Sequence, residues 1–513
     1  MRIRRIAITT ALILLAVTAT SSSMFGQESS GQHQQKTRRY KFLDIGTLGG
    51  QASYGSASGV GSVNLNNQGE IGAYADIDVH DPNAPNCFNL DCFLSHTFRW
   101  KHGRIDDLGA LGENGSAFSG INAAGWIAGF SQITVIDPVT GFPEARAVLW
   151  KHHSPLDLGT FGGNESISMY VNDEGQVVGM ADTAVPDPFS IFGTGYQDHT
   201  FIWEHGIKRD IGTLGGPDAV PSAICENSRK DFVTGQSYTS FSPNPDTGLM
   251  DVAPFLSDRG VMTNLGSLGG TFAYGQCANN RGQVIGQSNL AGDLEQHAFL
   301  WTKGRMKDLG TLGGSYSLAN WLDRAGVIVG GATTANDEFF HAALWKDGSI
   351  KDLRTIPGYD CSNALARNSR GQIVGQAFDC ATQLQHATLW EDGGQMVDLN
   401  SLIPPRSSLE LVGAFNINDR GEILGAGVPP GWPPTGDSVD LAGRLFLLIP
   451  CEPEHSHVDD GCEFAEASAD TRSAAVRATG ESHRGLTPES LSALRARFAH
   501  LHHARTIGGR SVN

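Results

Sequence analysis

Asn279-Asn280-Arg281-Gly282-Gln283-Val284-Ile285-Gly286, then His297-Ala298-Phe299-Leu300-Trp301, then Asp308-Leu309-Gly310-Thr311-Leu312-Gly313-Gly314 form one stretch that decides the fold, because the chain repeats it. The first motif recurs from Asn66, Asn122, Asn172, Asn227, Asp323, Asn368 and Asn418, which makes eight copies. The second recurs at 96–100, 146–150, 199–203, 253–257, 341–345, 386–390 and 444–448. The third recurs at 44–50, 107–113, 157–163, 210–216 and 264–270, and in decayed form at 352–358 and 398–404. A period of this size marks a repeat architecture in which one supersecondary unit is copied.

Asn-x-x-Gly between apolar residues is a hairpin signal: Asn opens the turn and Gly supplies the left-handed residue that closes it. The aromatic run ending at Trp301 reads as a short strand, and 305–310 as another, reached by a turn at Lys303-Gly304. Each unit therefore supplies strands A and B (the hairpin), C (ending in Trp) and D (ending at Leu-Gly). Four antiparallel strands per unit, with 64 glycines and 22 prolines, predict an all-β chain, a β-propeller of eight four-stranded blades. The repeat region opens with a lone D strand at 40–47 and ends with a lone C strand at 445–449, so the N-terminal strand is expected to complete the last blade. An open solenoid would instead need polar caps at both ends; it and a pair of smaller propellers are the alternatives.

The three motifs in fixed order resemble the HAF repeat family of extracellular bacterial repeat proteins, over residues 40–450. The resemblance implies export and assigns no activity. Unit 4 departs most, with Ala253-Pro254-Phe255-Leu256-Ser257 in place of the aromatic strand and Lys230-Asp231 in place of Gly-Gln.

Export is also written at the start of the chain. Arg2, Arg4 and Arg5 precede an apolar run from Ile6 to Val17 and a small, polar stretch, the pattern of a signal peptide over 1–23 with a cut after Ala19. That run is short for a bilayer span, which needs about 20 residues, so no membrane span is expected once it is removed. The expected location is secreted or periplasmic. Formal charge is −17, and loss of the three signal arginines takes it to −20, which repels phosphate backbones and argues against nucleic acid.

Eight cysteines in an exported chain point to disulfides. Cys361 and Cys380 lie symmetrically about the unit 7 hairpin and are expected to face each other across strands A and B. Cys225 and Cys277 hold the same position in consecutive units, Cys87 with Cys92 would pin a loop tip, and Cys451 with Cys462 would staple the tail.

Five histidines, His96, His199, His297, His341 and His386, share one repeat position, and seven aspartates, at 44, 107, 157, 210, 308, 352 and 398, share another. A catalytic residue is needed once, so repetition argues for architecture: each His bonding a backbone group, each Asp accepting backbone N–H at the end of strand D. Metal ligation by the histidines and a ring of cation-binding carboxylates are the competing readings. The tryptophans ending strand C are expected to anchor packing between units, with sugar stacking as the alternative. No nucleophile elbow and no His-Glu-x-x-His helix occurs; no catalytic residue, metal or cofactor is expected.

Function is therefore sought where the repeat breaks. The B–C connections are long in units 1 to 4 and 8, at 76–95, 132–144, 182–198, 238–252 and 427–443, and insertions on one face of a repeat protein mark a binding surface. Candidate ligand-binding residues there are Phe142, Phe189, Phe192, Tyr196, Tyr238, Phe241 and Trp432. The reading is an exported, monomeric binding module for a glycan, a cell-wall polymer or a protein; the rival is a propeller-type polysaccharide lyase or glycosidase. Flanking segments are a flexible 24–39, a linker at 451–486, an amphipathic helix at 487–505 and a disordered tail at 506–513. The helix is read from Thr487-Pro488-Glu489 and from Leu491, Leu494, Phe498 and Leu501 at helical spacing.

Overall fold

A computed structural model describes residues 40–451 apart from 57–61, 85–86, 113, 152, 223–224, 226–229, 247 and 392–393. The signal peptide, the segment 24–39, the linker, the C-terminal helix, the tail and Cys462 lie outside the described residues.

The chain is nearly all-β, in antiparallel groups of four strands that follow the repeat. Unit 1 is typical: strand A at Gly49–Tyr54, B at Ile71–His80, C at Phe93–Lys101 and D at Arg104–Asp107, paired in that order. Five sheets are separate four-stranded groups. The sheets of units 5 and 6 connect to those of their predecessors through single parallel strand pairs, Val252 with Phe272 and Gln296 with Tyr316, which makes units 4 to 6 one twelve-stranded sheet. Strand A of unit 4 is the shortest of its kind, three residues from Ala219 to Pro221, where the sequence departs from the repeat.

The N-terminal strand Tyr40–Asp44 pairs antiparallel with Arg444–Pro450, and the same sheet continues through Ile423–Val428 to Glu410–Ile417. The first strand of the repeat region therefore stands as strand D of unit 8, as the phase of the motifs predicts.

Each motif residue has a physical task. The hairpin Asn accepts backbone N–H at two positions; Asn66 Oδ1 takes those of Gln68 at 3.0 Å and Glu70 at 2.9 Å. The turn Gly is left-handed, φ +80° at Gly69 and +74° at Gly125, which a side chain would strain. The Gly that follows Val-x packs against strand A at its bulge: a Cβ on Gly375 would collide with the Asn363 carbonyl, and the register shifts there, between Ala364 and Ala366.

The hairpin Asn also reaches sideways, which the sequence reading did not foresee. Asn66 Nδ2 donates to the Asn122 carbonyl at 3.1 Å, Asn122 to Asn172 at 2.9 Å and Asn368 to Asn418 at 3.0 Å, each in the next unit. Asn418 of unit 8 donates to Asn66 of unit 1 at 3.1 Å. Asp323 has no amide donor, and there the unit 6–7 junction is made by Arg367 pairing with Asp323 instead. Tryptophans tie the same junctions: Trp150 Nε1 donates to Leu108 O at 3.1 Å, Trp345 to Leu309 at 2.9 Å and Trp390 to Leu353 at 3.1 Å. A buried indole N–H needs such an acceptor.

Disulfides join Cys87 to Cys92, Cys225 to Cys277 and Cys361 to Cys380. Cys225 and Cys277 bridge consecutive units with Cα atoms 5.6 Å apart. Cys361 faces Phe378, not Cys380, across the strands: the hairpin pairs Arg367 rather than Asn368 with Ile373, the bulge between Ala364 and Ala366 shifts the register by one more residue, and the bridge closes diagonally. Cys451 is disulfide-bonded as well. Three intramolecular disulfides indicate folding in an oxidising compartment. Among the described residues no helix is long and apolar enough to cross a membrane.

Candidate functional site

Within each unit the strands alternate in direction, so every B–C connection emerges at the same end, opposite the C–D turns. Strand B is ten residues in units 1 to 3, Ile71–His80, Ile127–Ile136 and Val177–Pro186, against six or seven in the others. The added residues continue past the core: the last three of each are exposed. An Asp-Pro pair then turns the chain. Asp81, Asp137 and Asp187 each accept the N–H two residues on, from Asn83 at 2.8 Å, Val139 at 2.7 Å and Phe189 at 2.9 Å. These are Asx turns with Pro fixing the following φ, so the projecting tips are braced by local hydrogen bonds.

The exposed apolar surface gathers at this end. Of fifteen large apolar side chains exposed among the described residues, twelve lie on B–C connections; Leu156, Ile207 and Val261, near the C–D turns, are the rest. Val79, Val135 and Val185 occupy one repeat position on the three projecting strands and are 48%, 51% and 50% exposed. The sequence-predicted aromatics divide. Phe189, Phe241 and Trp432 are exposed. Phe142, Tyr196 and Tyr238 are half-buried, with Tyr238 donating to the Phe189 carbonyl at 3.1 Å. Phe192 is 7% exposed and packs in the apolar core, so it braces its loop rather than facing a ligand. In unit 8 the connection folds partly as a short helix, Gly436–Ala442, capped by Thr435.

Charge is one-sided here. The five long connections hold thirteen Asp and Glu and no Lys or Arg. Asp78, Asp246 and Asp437 are exposed, while others are buried directly beneath. Asp182 and Asp198 face each other across strands B and C of unit 3, both fully buried. Ser190 donates to Asp198 at 2.9 Å and Thr194 to Asp182 at 3.2 Å. Asp218 of unit 4 accepts the Asp198 and Ile191 N–H groups, at 3.0 and 2.7 Å, and the buried Glu165 accepts that of Ala145 at 2.5 Å.

Burial raises all of these carboxyls, Glu165 to about 9 and Asp218 to about 7. Asp198 is held well above the carboxylate range by burial and by the charges of Asp182 and Asp218, and it hydrogen-bonds Asp182. The two opposed acids titrate as a pair, and burial of both favours a single shared proton. In unit 1, burial and the neighbouring Asp91 push Asp76 to about 8. These aspartates are not carried round the whole repeat: Asp76 and Asp182 share one strand B position, which is Gln132, Tyr238, Asn289, Thr333, Phe378 and Val428 elsewhere. That break in the repeat was the available signal, and the sequence reading passed over it.

The repeated histidines bond carboxylates, not backbone groups. His96 Nδ1 lies 3.1 Å from Asp107, His199 2.7 Å from Asp210, His297 2.9 Å from Asp308, His341 3.0 Å from Asp352 and His386 2.8 Å from Asp398. The aspartates also accept backbone N–H as expected, Gly109 donating to Asp107 at 2.8 Å. Burial alone would raise Asp107, yet His96 and Gly109 hold it below its ordinary value. Each pair ties strand C to strand D within its own unit. The one metal-like trio among the described residues, Asp360, Cys361 and Cys380, offers no thiolate because both cysteines are in a disulfide.

No known sequence family matches the chain, and no curated protein does. Among solved structures, acylaminoacyl peptidase from Pyrococcus horikoshii aligns with a TM-score of 0.38 at 11% identity, over 73% of this chain and 59% of that one. The β-propeller domain of the Trilobed protease from Pyrococcus furiosus gives 0.39 at 7% identity over 70% and 95%. Dipeptidyl peptidase 4 from Porphyromonas gingivalis gives 0.43 at 8% identity over 76% and 58%. The chain thus spans less than two thirds of either full-length peptidase.

Proposed function

We propose that the eight four-stranded units form one closed eight-bladed propeller of the HAF repeat type, exported by its N-terminal signal peptide, and that it is a binding module whose B–C end takes a macromolecular partner. Ring closure is supported by the N-terminal strand pairing with Arg444–Pro450 and by the Asn418 bond to Asn66, the same junction made between other consecutive units. Further contacts between units 8 and 1 are Ser53 N–H to Gly443 O and Leu445 N–H to Ser53 Oγ, each 2.9 Å.

The single observation that carries the binding role is the concentration of exposed apolar side chains: twelve of fifteen are on B–C connections. A soluble scaffold gains nothing from such a patch unless something covers it. A lyase or glycosidase has less support: the raised carboxyls Glu165, Asp182, Asp198 and Asp218 are fully buried, and the exposed Asp78, Asp246 and Asp437 lie on three different units. The test replaces the exposed segments 78–80, 134–136 and 184–186 of the unit 1 to 3 connections by Gly-Ser-Gly, which leaves the buried Phe192 and Asp198 in place, and screens glycans and surface proteins for binding. Loss of binding with intact folding is the expected result; unchanged binding overturns the reading, and polysaccharide turnover would favour the enzyme.

A further inference from the structure

The recognised chemistry can be narrowed from the same face. We propose that the partner is a protein surface that is both cationic and apolar, seated across the strand B extensions of units 1 to 3; this rests on the binding role proposed above.

Three observations carry it. First, the exposed row is aliphatic. Val79, Val135 and Val185 recur at one position on neighbouring projecting strands, and Ile136 and Val139 extend the row in unit 2. Branched aliphatic side chains have no planar face on which a sugar ring can stack, but they suit the apolar core of a protein interface, which excludes water over a continuous patch. The exposed aromatics that would stack a sugar, Phe189, Phe241 and Trp432, are spread one each over units 3, 4 and 8.

Second, the charge around that row has one sign. The five connections hold thirteen acidic residues and no Lys or Arg; the buried ones, Asp76, Asp182 and Asp198 among them, add little surface charge, and the exposed Asp78, Asp246 and Asp437, one each on units 1, 4 and 8, supply it without a counter-charge from those loops. A neutral glycan gains nothing from them, and an acidic cell-wall polymer is repelled. A surface carrying Lys or Arg around an apolar centre is complementary in both respects, and such complementarity speeds and orients encounter.

Third, the tips are braced before any partner arrives. The Asx turns at Asp81, Asp137 and Asp187 and the Cys87–Cys92 disulfide hold the row in place, which lowers the ordering cost of association.

The experiment measures binding to the folded chain by fluorescence anisotropy at low salt and at about 150 mM salt, where charges are screened beyond about 8 Å. The probes are synthetic peptides of leucine with lysine, serine with lysine, and leucine with glutamate, together with a neutral and an acidic oligosaccharide. Each is also offered to Val79→Ser/Val135→Ser/Val185→Ser and to Asp78→Asn/Asp246→Asn/Asp437→Asn. All six positions are exposed, so both variants should retain the wild-type melting temperature.

The expected result is that the leucine–lysine peptide binds at least tenfold more tightly than the other two peptides. The valine variant should lose that preference, and the aspartate variant should lose its salt dependence. If an oligosaccharide binds instead and the loop replacement abolishes it, the cationic protein partner is refuted while the binding role stands. Should the serine–lysine peptide bind as well as the leucine–lysine peptide, attraction is charge alone and the proposal fails. Binding that survives replacement of the loops refutes both.

Discussion

Replacing Asp198 by Asn separates the shared-proton account from a merely structural one. Asp198 and Asp182 are fully buried and opposed, and burial holds Asp198 well above the carboxylate range. The folded chain therefore keeps a proton that the unfolded chain has released at neutral pH. Stability from this proton is fully present below the ordinary carboxylate range and is lost as pH rises toward the folded pKa, by about 1.4 kcal/mol per pH unit for one proton. Over the window between the unfolded and folded values, each pH unit therefore lowers the melting temperature by about 1–2 °C for a chain of this length.

Asn supplies the N–H donor to Asp182 without a titrating group, so Asp198→Asn should match wild type near pH 5 and exceed it near pH 7.5. Asp76, in unit 1, titrates alike in both proteins and cancels in the difference, which reports Asp198 together with its neighbours Asp182 and Asp218. Melting followed by tryptophan circular dichroism at both pH values is the assay. A variant destabilised equally at both would refute the shared proton; so would a wild type whose difference from the variant does not change with pH.

Asn368→Asp keeps the acceptors of the hairpin turn but loses the donor to Asn418, and it should cost about 1–2 kcal/mol in urea unfolding; Asn418→Asp should cost more, because the same amide also donates to the Glu422 carboxylate. His386 is lowered by burial but raised more by Asp398 and Glu410, to about 9. Its stabilisation is present below its ordinary value near 6.5 and lost as pH rises through about 9, so His386→Gln should flatten the alkaline limb of the stability curve. Reducing the Cys225–Cys277 bridge, which ties two units across 52 residues, should cost about 2–4 kcal/mol, measured against a Cys225→Ala/Cys277→Ala variant. A reductant effect that persists in that variant belongs to the other disulfides.

The scaffold was legible because repetition averages out local ambiguity. Asn, Gly, Trp and Asp at fixed spacing named the turns, the strand ends and the offset of the first strand, and all of these hold in the fold. What one motif copy cannot reveal is the neighbour it touches. The amide of Asn66 reaching Asn122, and His96 reaching Asp107 rather than backbone, depend on strands brought together from other parts of the chain. The hairpin pairing and the strand A bulge, invisible in hydrophobic pattern, moved Cys361 opposite Phe378.

At the candidate site the sequence located the loops but misjudged the surface. Aromatic residues drew attention, and Phe192 proved to be a packing residue. The valines at 79, 135 and 185 were unremarkable in sequence because exposure follows from strands that outrun their unit. The Asp-Pro tips and the unrepeated Asp76 and Asp182 were visible, yet their meaning required knowing which side chains become buried together.

The claim that recognition belongs to the B–C end is tested most directly by a photo-crosslinking amino acid placed singly at Val135, at that end, and at Ile207, near the opposite C–D turns, both exposed. On the protein in its own environment, the account predicts a defined crosslinked partner from position 135 and none from 207. A partner captured from 207, or equally from both, would contradict it.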